Sequence, residues 1–177
     1  MSPLTVDDLE NKPYDGNRYE LIDGELFVSP PQGYAHQEIV AELLGRLRAA
    51  RPRHMTVLSA PFAVQLNFNT EVQPDVLAAP KSDFTAKRLP GPPSLAVEVL
   101  SPSSSVRDLN KKKRTYERFG VPSYWVIDPL ELSLIAFELD DAGHYQTVAE
   151  VAGDKPFEAT RPFPVRVVVT ELLDPLT

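Results

Sequence analysis

Proline occupies eighteen of the 177 positions and is spread along the chain rather than run together, roughly double its usual share. A proline lacks the amide N–H and holds φ near one value, so it ends helices and interrupts sheet ladders. The chain is therefore expected to fold from many short, sharply punctuated elements. Its length fits one domain spanning residues 1–177, because two separate cores would leave each half near the lower size limit.

Composition narrows the class further. Hydrophobic residues make up 42% and charged residues 24%, the balance of a soluble globular chain rather than a disordered or membrane one. No apolar run approaches the roughly 18 residues of a membrane span, so no membrane partner is expected. Met1 to Glu10 is acidic where a secretory signal would be basic and then apolar, which predicts no export. The absence of cysteine excludes a disulfide scaffold, a Cys-ligated zinc or iron–sulfur site and a thiol nucleophile, and leaves a reducing, cytoplasmic location as the expectation. Twenty-five acids against 18 Lys and Arg give a net charge of −7, but residues 1–120 hold 15 of each and residues 121–177 hold 10 acids with only Lys155, Arg161 and Arg166. A polyanion would meet the first two-thirds of the chain.

Thr5 is placed to cap a short helix ending near Glu10. Asp23-Gly24 between Arg18–Ile22 and Glu25–Val28 is a strong hairpin signal. Ile39, Val40, Leu43, Leu44 and Leu47 recur at helical spacing and predict an amphipathic helix from Tyr34 to about Ala50. Strands are expected at Met55–Ser59, Phe62–Leu66 and Val72–Ala78, then a loop from Ala79 to Ser94. Leu95-Ala-Val-Glu-Val-Leu100 reads as a strand buried on both faces. A second helix runs from the serines at 101–105 to about Phe119 and is closed by Gly120 and Pro122. Ser123–Asp128 is a further strand, with antiparallel additions at Leu132–Leu139, His144–Val151 and Val165–Val169. The pattern is a mixed α/β (α+β) chain with an N-terminal hairpin and C-terminal antiparallel strands.

Glu98 inside the buried strand needs a partner, because a buried carboxylate is costly unless it is paired, neutralised or bound to a cation. It shares a strand face with Ala96 and Leu100. Asp75, in Val-Gln-Pro-Asp-Val, poses the same question on a neighbouring strand. Either each acid meets a lysine or a helix N-terminus, or the two converge on a hard divalent cation, which takes one or two carboxylates plus water and phosphate oxygens. On the second helix, Val106, Leu109, Tyr116 and Phe119 define the apolar stripe. Lys112 and Lys113 flank its centre on opposite sides, and Lys111 faces away. Periodicity does not choose between those two lysines, and either could simply snorkel to water.

Asp108 stands three residues after Ser105, as in a capping box, and four before Lys112, as in an i,i+4 pair. His36 lies near the middle of the first helix's apolar stripe, where a hydrogen-bonded core histidine is the ordinary outcome. Glu20 is either a third acid of the site or an exposed strand residue. Two basic clusters, Arg46–Arg53 and Arg107–Arg118, suit a phosphate backbone or are solvated faces. No P-loop, dinucleotide fingerprint, GxSxG elbow or zinc-binding His pair is present.

Several runs then fall into order: Tyr19-Glu-Leu-Ile-Asp-Gly-Glu-Leu26, His36, Gln73-Pro-Asp-Val76, Val97-Glu-Val-Leu-Ser-Pro-Ser103, Asp108-x3-Lys112-x3-Tyr116 and Gly120-Val-Pro-Ser-Tyr-Trp-Val-Ile-Asp-Pro129. Over about residues 15–130 the chain resembles the Uma2 family of the PD-(D/E)XK nuclease superfamily. The resemblance implies a restriction-endonuclease-like core, a mixed sheet flanked by helices, with Asp75 and Glu98 as metal-binding acids. The superfamily's usual lysine stands two residues after the second acid, where this chain has Leu100. Uma2-like sequences carry it on the following helix instead, which singles out Lys112 over Lys113. Glu20, His36, Asp108 and Tyr116 are implied as site neighbours without assigned roles, and Ser123 stands where the family is expected to carry an acid.

The function so implied is Mg²⁺-dependent (alternatively Mn²⁺-dependent) endonucleolytic hydrolysis of nucleic acid, DNA first, by Asp75, Glu98 and Lys112 in a homodimer. The rivals are a catalytically inactive nuclease-fold module binding DNA or protein, and a hydrolase of small phosphoesters.

Overall fold

The computed structural model describes residues 3–104 and 106–176, and of residue 107 the backbone alone. In chain order the elements are a one-turn helix α1 (Val6–Leu9), the hairpin β1 (Arg18–Ile22) and β2 (Glu25–Ser29), and the helix α2 (Tyr34–Ala50). Six strands follow: β3 (Met55–Ser59), β4 (Ala63–Asn67), β5 (Thr70–Val72), β6 (Val76–Pro80), β7 (Arg88–Pro90) and β8 (Leu95–Val99). Helix α3 (Val106–Arg118) leads into β9 (Ser123–Asp128), β10 (Ser133–Leu139), β11 (Tyr145–Ala152), β12 (Phe157–Ala159) and β13 (Val165–Val167).

Two mixed sheets carry the fold. The larger has the order β11-β10-β9-β8-β6-β3, with β8 and β9 parallel and the other neighbours antiparallel. The smaller has the order β2-β1-β5-β4-β7, with β4 and β7 parallel, and β12 and β13 form a separate ribbon. Strand β8 is buried along its whole length. Leu95, Val97 and Val99 enter the core that Ile39, Leu43 and Leu47 of α2 complete, together with Trp125 and Ile127. Ala96 faces a second core formed with Ile22, Val72, Tyr116 and Tyr124. By alternation Glu98 points to this second side, between the two sheets and beside α3.

Local chemistry fixes the boundaries. Asp23 and Gly24 take φ of +53° and +77°, the paired left-handed conformations of the two-residue hairpin turn whose twist matches its strands. Helix α3 ends in a Schellman motif: Gly120 at φ +76° lets Val121 N–H reach Tyr116 O at 3.0 Å and Gly120 N–H reach Glu117 O at 3.1 Å.

The structure departs from the sequence expectations at several points. The run Val72–Ala78 is not one strand: β5 ends at Val72 in the smaller sheet and β6 begins at Val76 in the larger. Pro74, which cannot donate to a ladder, sits in the crossing. The supposed loop from Ala79 holds the end of β6 and the edge strand β7, and Phe157–Ala159 pairs with Val165–Val167, both too short to give an alternating signal. On α3, Val106 is 75% exposed, and the buried face consists of Lys112, Thr115 and Tyr116. Lys111 does not face away. It pairs with Glu25 and lies over the Phe27 ring. The capping-box reading of Ser105 lies outside the described residues.

Candidate active site

The site is built where β5 crosses to β6. The ladder between β6 and β8 pairs Leu77 with Ala96 and Val76 with Val97, and one step further the same register sets Asp75 opposite Glu98. Asp75 then takes over the role of a ladder carbonyl, its Oδ2 accepting the Val99 N–H at 2.8 Å. Helix α2 contributes His36, whose Nε2 lies 3.2 Å from the same oxygen. Strand β1 contributes Arg18, whose Nη1 donates to Asp75 Oδ1 at 2.7 Å and to Gln73 O at 3.2 Å.

Glu20, two residues after Arg18 on the same face of β1, accepts the Gln73 N–H at 2.7 Å and pairs with Lys112 Nζ at 2.8 Å. Lys112 reaches on to Glu98 Oε1 at 3.0 Å, and the Tyr116 hydroxyl donates to that oxygen at 2.7 Å. One turn of α3 separates Lys112 from Tyr116, so a single helix face delivers both groups to one carboxylate. Three acids and two fixed cations thus form one connected network, in which Glu20, Asp75, Glu98, His36, Lys112 and Tyr116 are all buried.

Burial and neighbours set the protonation of each group apart. Burial pushes Glu98 up; Lys112 opposes it, Asp75 and Glu20 add to it, and the result is about 7. Asp75 feels the same burial, but the His36 hydrogen bond and the Arg18 charge bring it down to about 2. Burial works against the Lys112 ammonium, yet Glu20 and Glu98 outweigh it and raise its pKa. Tyr116 is raised well above its ordinary value by burial and by Glu98, and so remains a hydrogen-bond donor across the working pH range. The pair Asp75 and Glu98 therefore has one firmly ionised member and one poised near neutrality, a separation typical of functional sites.

Two openings reach the network. A cleft of about 140 Å³ is lined by Glu20, Glu98, Lys112, Asp108 and the serines at 101, 103 and 104. A larger one of about 570 Å³ is lined by Asp75, Gln73 and Glu71. Arg18, His36, Pro30 and Gln32 border both. The donor set suits a hard cation: carboxylate oxygens on adjacent strands, with Glu98 pushed up first by burial and further by two neighbouring acids, a penalty that a divalent charge would lower. Among the described residues no three acidic or histidine side chains already converge as a metal cage, so an ion here would rest on one or two carboxylates with water and substrate oxygens, as Mg²⁺ commonly does.

The structure brings six of the seven singled-out side chains into the network and places Asp108, half-buried, on the wall of the smaller cleft. It adds Arg18, which sequence reasoning missed; its i,i+2 spacing from Glu20 was the available signal. It also reduces the two basic clusters. Arg46 pairs with Glu171 at 2.9 Å, Arg51 donates to Arg48 O and Met55 O, Arg118 pairs with Asp23 at 2.7 Å, and Lys113 lies 3.9 Å from the Phe137 ring centroid. Much of the charge read as open to a polyanion is paired within the fold.

The family model Uma2, described as "Putative restriction endonuclease", matches residues 6–171, a longer span than the motifs alone suggest. No curated protein matches the chain. Among solved structures the chain is similar to a protein of Anabaena variabilis ATCC 29413 described as "a putative nuclease belonging to DUF820". The two are 19% identical, the match covers 96% of this chain and 97% of that one, and the TM-score is 0.76. At that identity the likeness concerns the fold, which is the mixed α+β architecture described above.

Proposed function

The chain belongs to the Uma2 family, and from that premise we propose that it is a metal-dependent endonuclease hydrolysing phosphodiester bonds of nucleic acid, DNA first. The observation that carries the reading is the meeting of Lys112 with Glu98 at 3.0 Å, on the strand whose register sets Glu98 against Asp75. A lysine beside two paired strand acids can stabilise the charge that develops in phosphodiester hydrolysis, and here a helix supplies it.

In this reading Asp75 and Glu98 would hold Mg²⁺, or alternatively Mn²⁺. The bound ion supplies Lewis-acid activation of a phosphoryl oxygen and of water. Lys112 offers its ammonium to the charge that develops on the phosphate in the transition state. Tyr116 fixes the orientation of Glu98 through the 2.7 Å hydrogen bond, and His36 does the same for Asp75 from α2. Burial keeps bulk water from screening these groups, so each acts at low local dielectric. The working unit is a single domain of residues 1–177, active in the cytoplasm. It pairs as a symmetric dimer, the commonest oligomer and the simplest way to cut two strands with two sites.

One observation favours a second reading, a non-catalytic module of the same fold. Both oxygens of Asp75 are already engaged, by Arg18 on one side and by His36 and Val99 N–H on the other. Calorimetry with Mn²⁺ decides between the two. The nuclease reading expects a saturable site that is lost in Asp75→Asn with its fold unchanged, and titration of the wild-type protein without heat would favour the module instead.

A further inference from the structure

Arg18 is the part of the network that the nuclease reading leaves unused. Its Nη1 lies 2.7 Å from Asp75 Oδ1, and its Nε lies 3.6 Å from Glu20 Oε2. That Nε is buried without a hydrogen-bond partner among the described residues. The side chain is 19% exposed and borders both clefts, so Arg18 stands where the two openings meet. It neutralises the acid that a divalent ion would use, with a fork that is only partly satisfied. Arginine is suited to exchange such a partner for a phosphate, because its planar fork fits carboxylate and phosphate alike and cannot be switched off by deprotonation.

We infer that Arg18 is a two-position cation: it neutralises Asp75 and Glu20 when no divalent ion is bound, and it yields Asp75 and binds a phosphodiester oxygen when one is. This rests on the nuclease reading and deepens it. The guanidinium and the ion compete for Asp75, so removing the guanidinium strengthens ion binding and weakens nucleic-acid binding. A purely structural Arg18 would give the opposite sign for the ion, since Asp75 would lose its alignment.

The test uses the full chain with two readouts that need no turnover: Mn²⁺ calorimetry, and fluorescence anisotropy of labelled single- and double-stranded DNA and RNA in Ca²⁺. Arg18→Met should bind Mn²⁺ on the order of tenfold more tightly and its best nucleic acid on the order of tenfold more weakly, within the usual range of site-to-site coupling. Arg18→Lys keeps the charge without the fork. It should bind Mn²⁺ within a few-fold of the wild type, yet lose nucleic-acid affinity several-fold. Circular dichroism checks both folds, and if Arg18→Met does not fold, Arg18→Lys alone decides. Unchanged or weaker Mn²⁺ binding in a folded Arg18→Met, or undiminished nucleic-acid binding in Arg18→Lys, overturns the inference while leaving the nuclease reading intact. Failure of the wild-type protein to bind Mn²⁺ or any nucleic acid overturns both.

Discussion

Replacing Lys112 by methionine isolates the charge at the centre of the network, because methionine keeps most of the buried stem and removes only the ammonium. Lys112 Nζ lies 2.8 Å from Glu20 and 3.0 Å from Glu98, with 11% of its side chain exposed. At an effective dielectric of about 20, each contact is worth about 5–6 kcal/mol of attraction, most of it offset by the cost of taking the ions out of water. Removing one member of such a buried group leaves its partners uncompensated and costs about 3–5 kcal/mol.

The pH dependence follows from the direction of each shift. The Lys112 pKa is raised in the fold, so its contribution is fully present below the unfolded value and is lost only as pH rises through the folded one; at pH 8.5 it is intact in the wild type. In Lys112→Met, Glu98 loses the cation that opposes its burial, and its pKa climbs beyond the wild-type value of about 7. At pH 5.5 Glu98 is then neutral and the penalty shrinks, to roughly half. Urea denaturation in EDTA at pH 8.5 and 5.5 measures both values. A loss under about 1 kcal/mol at both pH values would mean instead that the ammonium is solvated rather than clamped between the two acids.

Three further outcomes are expected. Glu98 is raised from 4.5 to about 7 by burial, so the metal-free protein binds this proton more tightly than the unfolded chain and should lose about 3 kcal/mol of stability as pH rises from about 4.5 through 7; denaturation curves of wild type and Glu98→Gln that stay parallel across that window would count against it. Tyr116→Phe strips a hydrogen bond of 2.7 Å from a buried carboxylate and should cost about 1–3 kcal/mol by urea denaturation, while lowering cleavage less than Lys112→Met does. Gly24→Ala places a methyl 2.6 Å from Pro3 Cβ at a φ of +77°, so the turn must shift, and thermal melting should show a loss of about 1–3 kcal/mol.

Where a signal was local, the sequence carried it. Asp23-Gly24 demands left-handed φ values and so announces its own hairpin, and the spacing of Ile39, Leu43 and Leu47 locates α2 at Tyr34–Ala50 without help from the rest of the chain. Alternation alone assigned Glu98 to the face of Ala96. The partnerships of Arg18 with Asp75 and of Glu20 with Lys112 span 57 and 92 positions, and no local period encodes which strand will lie beside which. The same limit explains α3: its stripe placed Val106 inward, although Val106 is 75% exposed and it is Lys112 and Tyr116 that are buried and face Glu98. The basic clusters were misread for a related reason, since Asp23, Glu25 and Glu171 are remote in sequence and adjacent in space. Lys112 itself was legible only through the spacing of a family pattern.

Asp75, Glu98 and Lys112 are proposed to cut phosphodiester bonds together. The most direct test incubates purified wild type, Glu98→Ala and Lys112→Ala with a mixed panel of single- and double-stranded DNA and RNA in Mg²⁺, Mn²⁺ or EDTA. Cutting is expected from the wild type with either metal, none in EDTA, and none from the two variants with their folds intact by circular dichroism. Metal-dependent cutting that persists in folded Glu98→Ala would contradict it.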